Sequence, residues 1–185
     1  MTQNQTITKI ADTFSINAIY ARRLFHTASK EHMFEDIAKL LEEKPKPFVK
    51  WVGGKRQLLK QFRDLGLYPP ENFDPITNTF FEPFVGGGAV FFDLLPETAY
   101  LSDLNNELVV TYNVIKNDVE NLIISLKKHK LDKEYFLKIR AQNPEKLSDL
   151  NIASHFIYLN RTCFNGMYRV NSKGGFNVPF GKYTN

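Results

Sequence analysis

Two glycine-rich stretches and one acid have the residue types and spacing for chemistry. FFEPFVGGGAVFFDL, Phe80–Leu94, sets Gly86, Gly87 and Gly88 among five phenylalanines. A core segment gains nothing from three adjacent glycines, and an exposed loop gains nothing from so many aromatic rings. A backbone without side chains lets a ligand come close, and a helix start after it favours negative charge. Asp103 follows Glu82 by 21 positions, near the ~20-residue spacing at which an acid at a second strand end meets a ribose. A carboxylate can accept from both ribose hydroxyls. The G-x-G-x-x-G fingerprint is met in part: Gly86 and Gly88 fill its first two glycines, and Phe91 stands at the third. An ordinary tight turn between strand and helix is the competing reading.

A second glycine pair lies in KWVGGK, Lys50–Lys55, beside the chain's one tryptophan, Trp51. Lys55 and free N–H groups at a helix start suit an amino-acid carboxylate. A P-loop is the alternative, but Lys55 is followed by Arg56 and no earlier glycine stands in place. Trp51 taken alone reads as a core anchor. One ligand needs both features: S-adenosylmethionine has a ribose for Asp103, an adenine for an apolar pocket and a carboxylate for Lys55. A nicotinamide dinucleotide would use the glycine loop and Asp103 alone.

The elements that must hold these residues follow from pattern. KPKP, Lys44–Pro47, ends a helical segment and starts an extended one. Before it, ITKIADTFSINAIYARRLF has loose helix-turn-helix spacing, so residues 1–46 are expected to form a helical N-terminal arm. After it, a helix is expected with Leu58, Leu59, Phe62 and Leu65 on one face and Gly66 as its stop. Strands are expected at Thr79–Glu82 and Thr98–Ser102, with a helix from Ala89 between them. Further helices are expected from Leu108 to Ile115 and over Val119–Lys130, Asp132–Gln142 and Ser148–Asn160, with Asp118, Asp132 and Ser148 as caps. MYRVNSKGGFNVPF reads as a hairpin turning at Ser172–Gly175. Strand and helix alternate in the middle of the chain, which points to an α/β fold with a parallel sheet.

The 185 residues carry a net charge of +4. The distribution says more: positions 151–185 hold no Asp or Glu, but carry Arg161, Arg169, Lys173 and Lys182 among seven Phe and Tyr residues. Cations and rings without acids suit a polyanion with faces to stack on. A basic surface beside a small aromatic core is the plainer alternative. One cysteine, Cys163, excludes an internal disulfide or a multi-cysteine metal site, and the four histidines show no metal-ligand spacing. No apolar run is long enough to span a bilayer, and MTQNQTITKIADTF has no apolar signal core. A cytoplasmic protein with no membrane partner is expected.

Four motifs in order, KWVGGKRQLL, FEPFVGGGAVFFDL, LSDLNNELVVTYNVIK and FIYLNRTCFNGMYRVNSKGGFNVPFGKY, resemble the Dam/DpnM-like DNA adenine-N6 methyltransferases that act on GATC. The likeness covers roughly positions 47–183. It implies a partial Rossmann-like S-adenosylmethionine-dependent methyltransferase fold, with a cofactor-binding part at 47–117 and a helical target-recognition region and hairpin at 118–185. It implies S-adenosylmethionine as cofactor, held by Trp51, Lys55, Phe84, Gly86, Gly88 and Asp103. It implies duplex DNA as partner, met by Arg161, Asn165, Met167, Arg169, Asn171, Asn177, Pro179, Lys182 and Tyr183. The family's catalytic Asp-Pro-Pro-Tyr, expected after the recognition region, does not occur in the sequence. The one Asp-Pro, Asp74–Pro75, precedes Ile76 and Thr77 ahead of the glycine loop and is not a candidate. The resemblance therefore implies a chain inactive alone, needing a complementary half, with uncovered apolar faces around Phe80–Phe92. A non-catalytic DNA-binding regulator built on the N-terminal helices and the hairpin is the alternative.

Overall fold

The computed structural model describes residues 2–3, 5–6, 9–10 and 45–181. The expected helix-turn-helix pattern lies almost wholly outside the described residues, as do Lys182 and Tyr183. Helix α1 spans Arg56–Asp64. It ends where Gly66, at φ +69°, donates to the Arg63 carbonyl while Leu67 donates to that of Phe62, a glycine stop as expected. Of its four expected apolar positions only Leu59 is buried; Leu58, Phe62 and Leu65 are exposed.

Strand β1, Thr79–Glu82, and strand β2, Thr98–Leu101, pair in parallel with Thr79 opposite Thr98 and Glu82 opposite Leu101. Helix α2, Ala89–Leu94, connects them. The pairing continues past the strand ends, where Ser102 N–H donates to the Glu82 carbonyl and Val85 N–H donates to that of Ser102. This brings the glycine loop and the residue after Ser102 to the same edge. On one face of the sheet Phe81 and Tyr100 stack on each other at 5.1 Å, yet they are 67% and 63% exposed. Two aromatic rings of a sheet left uncovered match the expected open apolar face.

The second half is helical: α3 at Asn106–Asn117, α4 at Val119–Leu126, α5 at Lys133–Arg140 and α6 at Asp149–Thr162. Asp132 and Ser148 cap α5 and α6 through their side chains, accepting from Tyr135 N–H and Asn151 N–H. Asp118, expected to cap α4, instead accepts from the Asn121 side chain at 2.7 Å, and α4 has no side-chain cap. The α6 helix is central, packing against α3, α4 and α5. Val49, Leu108 and Phe156 form one buried cluster across the 117/118 boundary, so the residues on its two sides share a core.

Where α4, α5 and α6 converge, His129 contacts Tyr135 Oη through Nδ1 at 2.9 Å and Ser154 Oγ through Nε2 at 2.8 Å. It stacks on Tyr158 at 4.3 Å. Burial, aided by neighbouring His155, pushes its pKa down to about 4; burial lowers His155 as well. Between the ordinary value of 6.5 and about 4, the unfolded chain takes up the His129 proton and the folded chain does not. Stability is therefore expected to fall on acidification through that window, by roughly 1 kcal/mol per pH unit after allowing for partial solvent contact. Urea melts from pH 7 to 4 should show this slope, and His129→Gln should flatten it; parallel curves would contradict the assignment.

Candidate cofactor cavity and recognition hairpin

The glycine loop is held from below by Asp103. Gly86 N–H donates to Asp103 Oδ2 at 2.9 Å, and Asn105 N–H donates to Oδ1 at 3.0 Å. Asn105 then caps α3 through its side chain, accepting from Leu108 N–H at 2.9 Å. Tyr112, one helix face further on, donates to the Gly86 carbonyl at 3.2 Å. The acid at the second strand end thus serves the loop directly. Each of its oxygens keeps acceptor capacity for a ligand hydroxyl.

The opposite wall comes from Phe48–Trp51, and α6 fixes it. Asn160, fully buried, accepts from Lys50 N–H at 2.9 Å and donates to the Lys50 and Gly166 carbonyls at 2.9 and 3.0 Å. Its amide does for Lys50 what a neighbouring strand would do. Arg161 donates to the Phe48 carbonyl from Nε at 3.0 Å and from a terminal nitrogen at 2.7 Å. Trp51 lies against Gly86 and Gly87 and stacks on Tyr168 at 5.5 Å with an interplanar angle of 22°. A Cβ on Gly86 would sit 2.7 Å from Trp51 Cδ1, so only glycine fits beside the ring. Gly54 N–H, expected to be free at a helix start, donates to the Trp51 carbonyl at 3.1 Å, and α1 begins after Lys55.

Between these walls lies a cavity of about 770 Å³ whose lining includes Trp51, Lys55, Phe84, Gly86, Asp103 and Arg161. The volume is within the range of small-molecule sites. Five of the six expected cofactor residues share this one cavity; Gly88 stands behind it, at φ +73°, opening α2. Lys55 Nζ bonds Glu82 Oε1 at 3.2 Å and the Phe84 carbonyl at 3.3 Å. Glu82 is 6% exposed, and its pKa is raised by burial, against the pull of Lys55 and the Phe91 N–H.

The hairpin forms as expected, with Val170 bridged antiparallel to Phe176. Asn171 Oδ1 accepts from Lys173 and Gly175 N–H at 2.9 and 3.0 Å and so builds the tip. Arg169 Nε donates across the hairpin to Asn177 Oδ1 at 2.8 Å. Asn165 and Pro179 are exposed. Met167 packs on the buried cluster of Phe136, Tyr158 and Val178. Arg161 stands apart from the hairpin, on the cavity wall. Tyr168, which the sequence reading passed over, joins the two regions: its ring lies on Trp51 and its hydroxyl donates to Glu107 Oε1 at 2.9 Å. Asn160 and Glu82 were passed over too. A polar residue in register with Phe156, Leu159 and Cys163, and an acid closing an aromatic strand, were the available signals.

A profile of the D12 class N6 adenine-specific DNA methyltransferase family matches residues 51–185. The chain belongs to this family. It is 45% identical over 146 residues to "Type II methyltransferase M1.LlaDCHI" of Lactococcus lactis subsp. cremoris, covering 76% of this chain and 49% of that protein. It is 42% identical over 157 residues to "Type II methyltransferase M.MjaIII" of Methanocaldococcus jannaschii, with 76% and 53% covered. A "DNA adenine methylase" of Vibrio cholerae is 37% identical over 145 residues, with 76% and 50% covered. The chain spans about half the length of these relatives. No helix among the described residues is long and apolar enough to cross a membrane.

Proposed function

We propose that this D12-family chain supplies the cofactor site and the DNA-reading hairpin of a DNA adenine-N6 methyltransferase, with GATC as target. The observation that carries this is the single cavity joining Trp51, Lys55, Phe84, Gly86 and Asp103. Three lining residues support S-adenosylmethionine as the ligand. Asp103 accepts from the ribose hydroxyls, Trp51 gives an aromatic wall, and Lys55 meets the carboxylate. The bound cofactor supplies an electrophilic methyl group. Arg169, preset by Asn177, reads a guanine edge, and Lys173 and Lys182 meet phosphates. The adenine amine is a poor nucleophile, because its lone pair is delocalised into the ring. The family's Asp-Pro-Pro-Tyr supplies the acceptors and ring that orient it. Residues 1–185 do not contain that motif, so these residues taken alone bind and do not transfer. The exposed Phe81–Tyr100 face is where residues carrying that motif would pack.

The test mixes the chain with the Asp-Pro-Pro-Tyr half of a relative and follows tritiated methyl into duplexes with and without GATC. Label in N6-methyladenine from the mixture alone, and only in the GATC duplex, is the expected result. A soluble complex that binds duplex but transfers nothing would overturn it.

A further inference from the structure

We infer that Glu82 is a positioning residue for the amino-acid end of the cofactor, acting through Lys55; this rests on the cofactor reading above. Glu82 closes β1 and is almost fully buried. Its Oε1 accepts from Lys55 Nζ at 3.2 Å, while its Oε2 is buried without a hydrogen-bond partner. The arrangement is a poor way to gain stability. Lys55 keeps 47% of its side chain exposed, so the pair is weakened by solvent, while the carboxylate bears the cost of burial. What the pair does is fix a direction. A lysine ammonium has three N–H donors on a flexible stem. One goes to Glu82 Oε1 and one to the Phe84 carbonyl at 3.3 Å. Both acceptors belong to the strand end and the loop beneath the cavity. The third donor is left for the cavity that Lys55 lines. An ammonium held in this way loses little freedom when it meets a carboxylate, which is how preorganisation raises affinity.

Ligands that differ at that end should respond differently to loss of Glu82. S-adenosylhomocysteine keeps the amino-acid carboxylate; methylthioadenosine has the same nucleoside and lacks it. Both are titrated by calorimetry into the full chain, Glu82→Gln, Lys55→Met and the double variant, with a thermal melt of each. Glu82→Gln should weaken S-adenosylhomocysteine about tenfold or more and leave methylthioadenosine within about twofold. The double variant should bind no more weakly than Lys55→Met, because Glu82 acts through the lysine. If Glu82→Gln melts early, Glu82→Asp, which withdraws the charge by one methylene, should show the same ligand-selective loss. Equal weakening of both ligands would mark a structural role and overturn the inference. A Glu82 effect that persists without Lys55 would overturn it too. Wild-type chain that binds neither ligand overturns the cofactor reading and this inference together; binding both equally overturns this inference alone.

Discussion

Asn160→Asp is expected to be the most damaging single substitution in the chain, lowering folding stability by about 3–5 kcal/mol. The wild-type amide is fully buried and presents one acceptor and two donors to three backbone groups. Aspartate keeps the acceptor toward Lys50 N–H. It replaces the donating nitrogen with an oxygen that faces the Lys50 and Gly166 carbonyls. The Lys50 and Gly166 carbonyls lose their donor, and a charge or a displaced proton must be accommodated at a fully buried side chain. Asn160→Ala leaves the same backbone groups unpaired but adds no charge, so its cost should be smaller, about 2–3 kcal/mol. Urea denaturation should show both as a fall in midpoint at constant slope. Trp51 is the one tryptophan and stands next to Lys50, so its fluorescence reports the loosening directly. A change within about 0.5 kcal/mol for either variant, the range of an ordinary surface substitution, would show that α6 does not anchor the Phe48–Trp51 wall.

Gly86→Ala should weaken cofactor binding strongly while costing less in folding. Gly86 has φ +49°, a region that costs an L-residue with a Cβ about 1–2 kcal/mol. The larger effect is steric. The new methyl would stand 2.7 Å from Trp51 Cδ1 and 3.0 Å from its Nε1. The indole is held by its stack on Tyr168 and by its contact with Phe156, so relief means the loop or the ring moves into the cavity. Affinity for an S-adenosyl ligand should fall by about two orders of magnitude, nearly 3 kcal/mol. Gly174→Ala is the matched control. It too has positive φ, +79°, but its Cβ meets nothing within 4 Å. Equal binding losses in the two variants would remove the loop from the cofactor site.

Local grammar in the sequence carried much of this. The strand, glycine loop, helix, strand and acid order fixed the relation of Gly86 to Asp103, because the parallel pairing of β1 with β2 aligns their ends. The hairpin tip was legible because Asn171 and Gly175 make a local turn. What was hidden depends on distant partners. Lys50 and Asn160 are 110 positions apart, and nothing in either segment announces the other. Arg161 and Met167 have residue types suited to a DNA surface; the sequence did not show that the guanidinium also donates to the Phe48 carbonyl or that Met167 packs on the core. Periodicity found the apolar face of α1 but could not say that Leu58, Phe62 and Leu65 would stay exposed. An apolar face tells that contact is favoured, and the fold decides whether a neighbour is there to make it.

We propose above all that this chain holds an S-adenosyl ligand in the cavity between Trp51 and Asp103. Calorimetry of S-adenosylmethionine with the full chain and with Asp103→Ala tests it most directly. Saturable binding at one site, weakened about a hundredfold or more in the variant, is the predicted result. No binding by the folded wild-type chain, or equal binding by the variant, would contradict it.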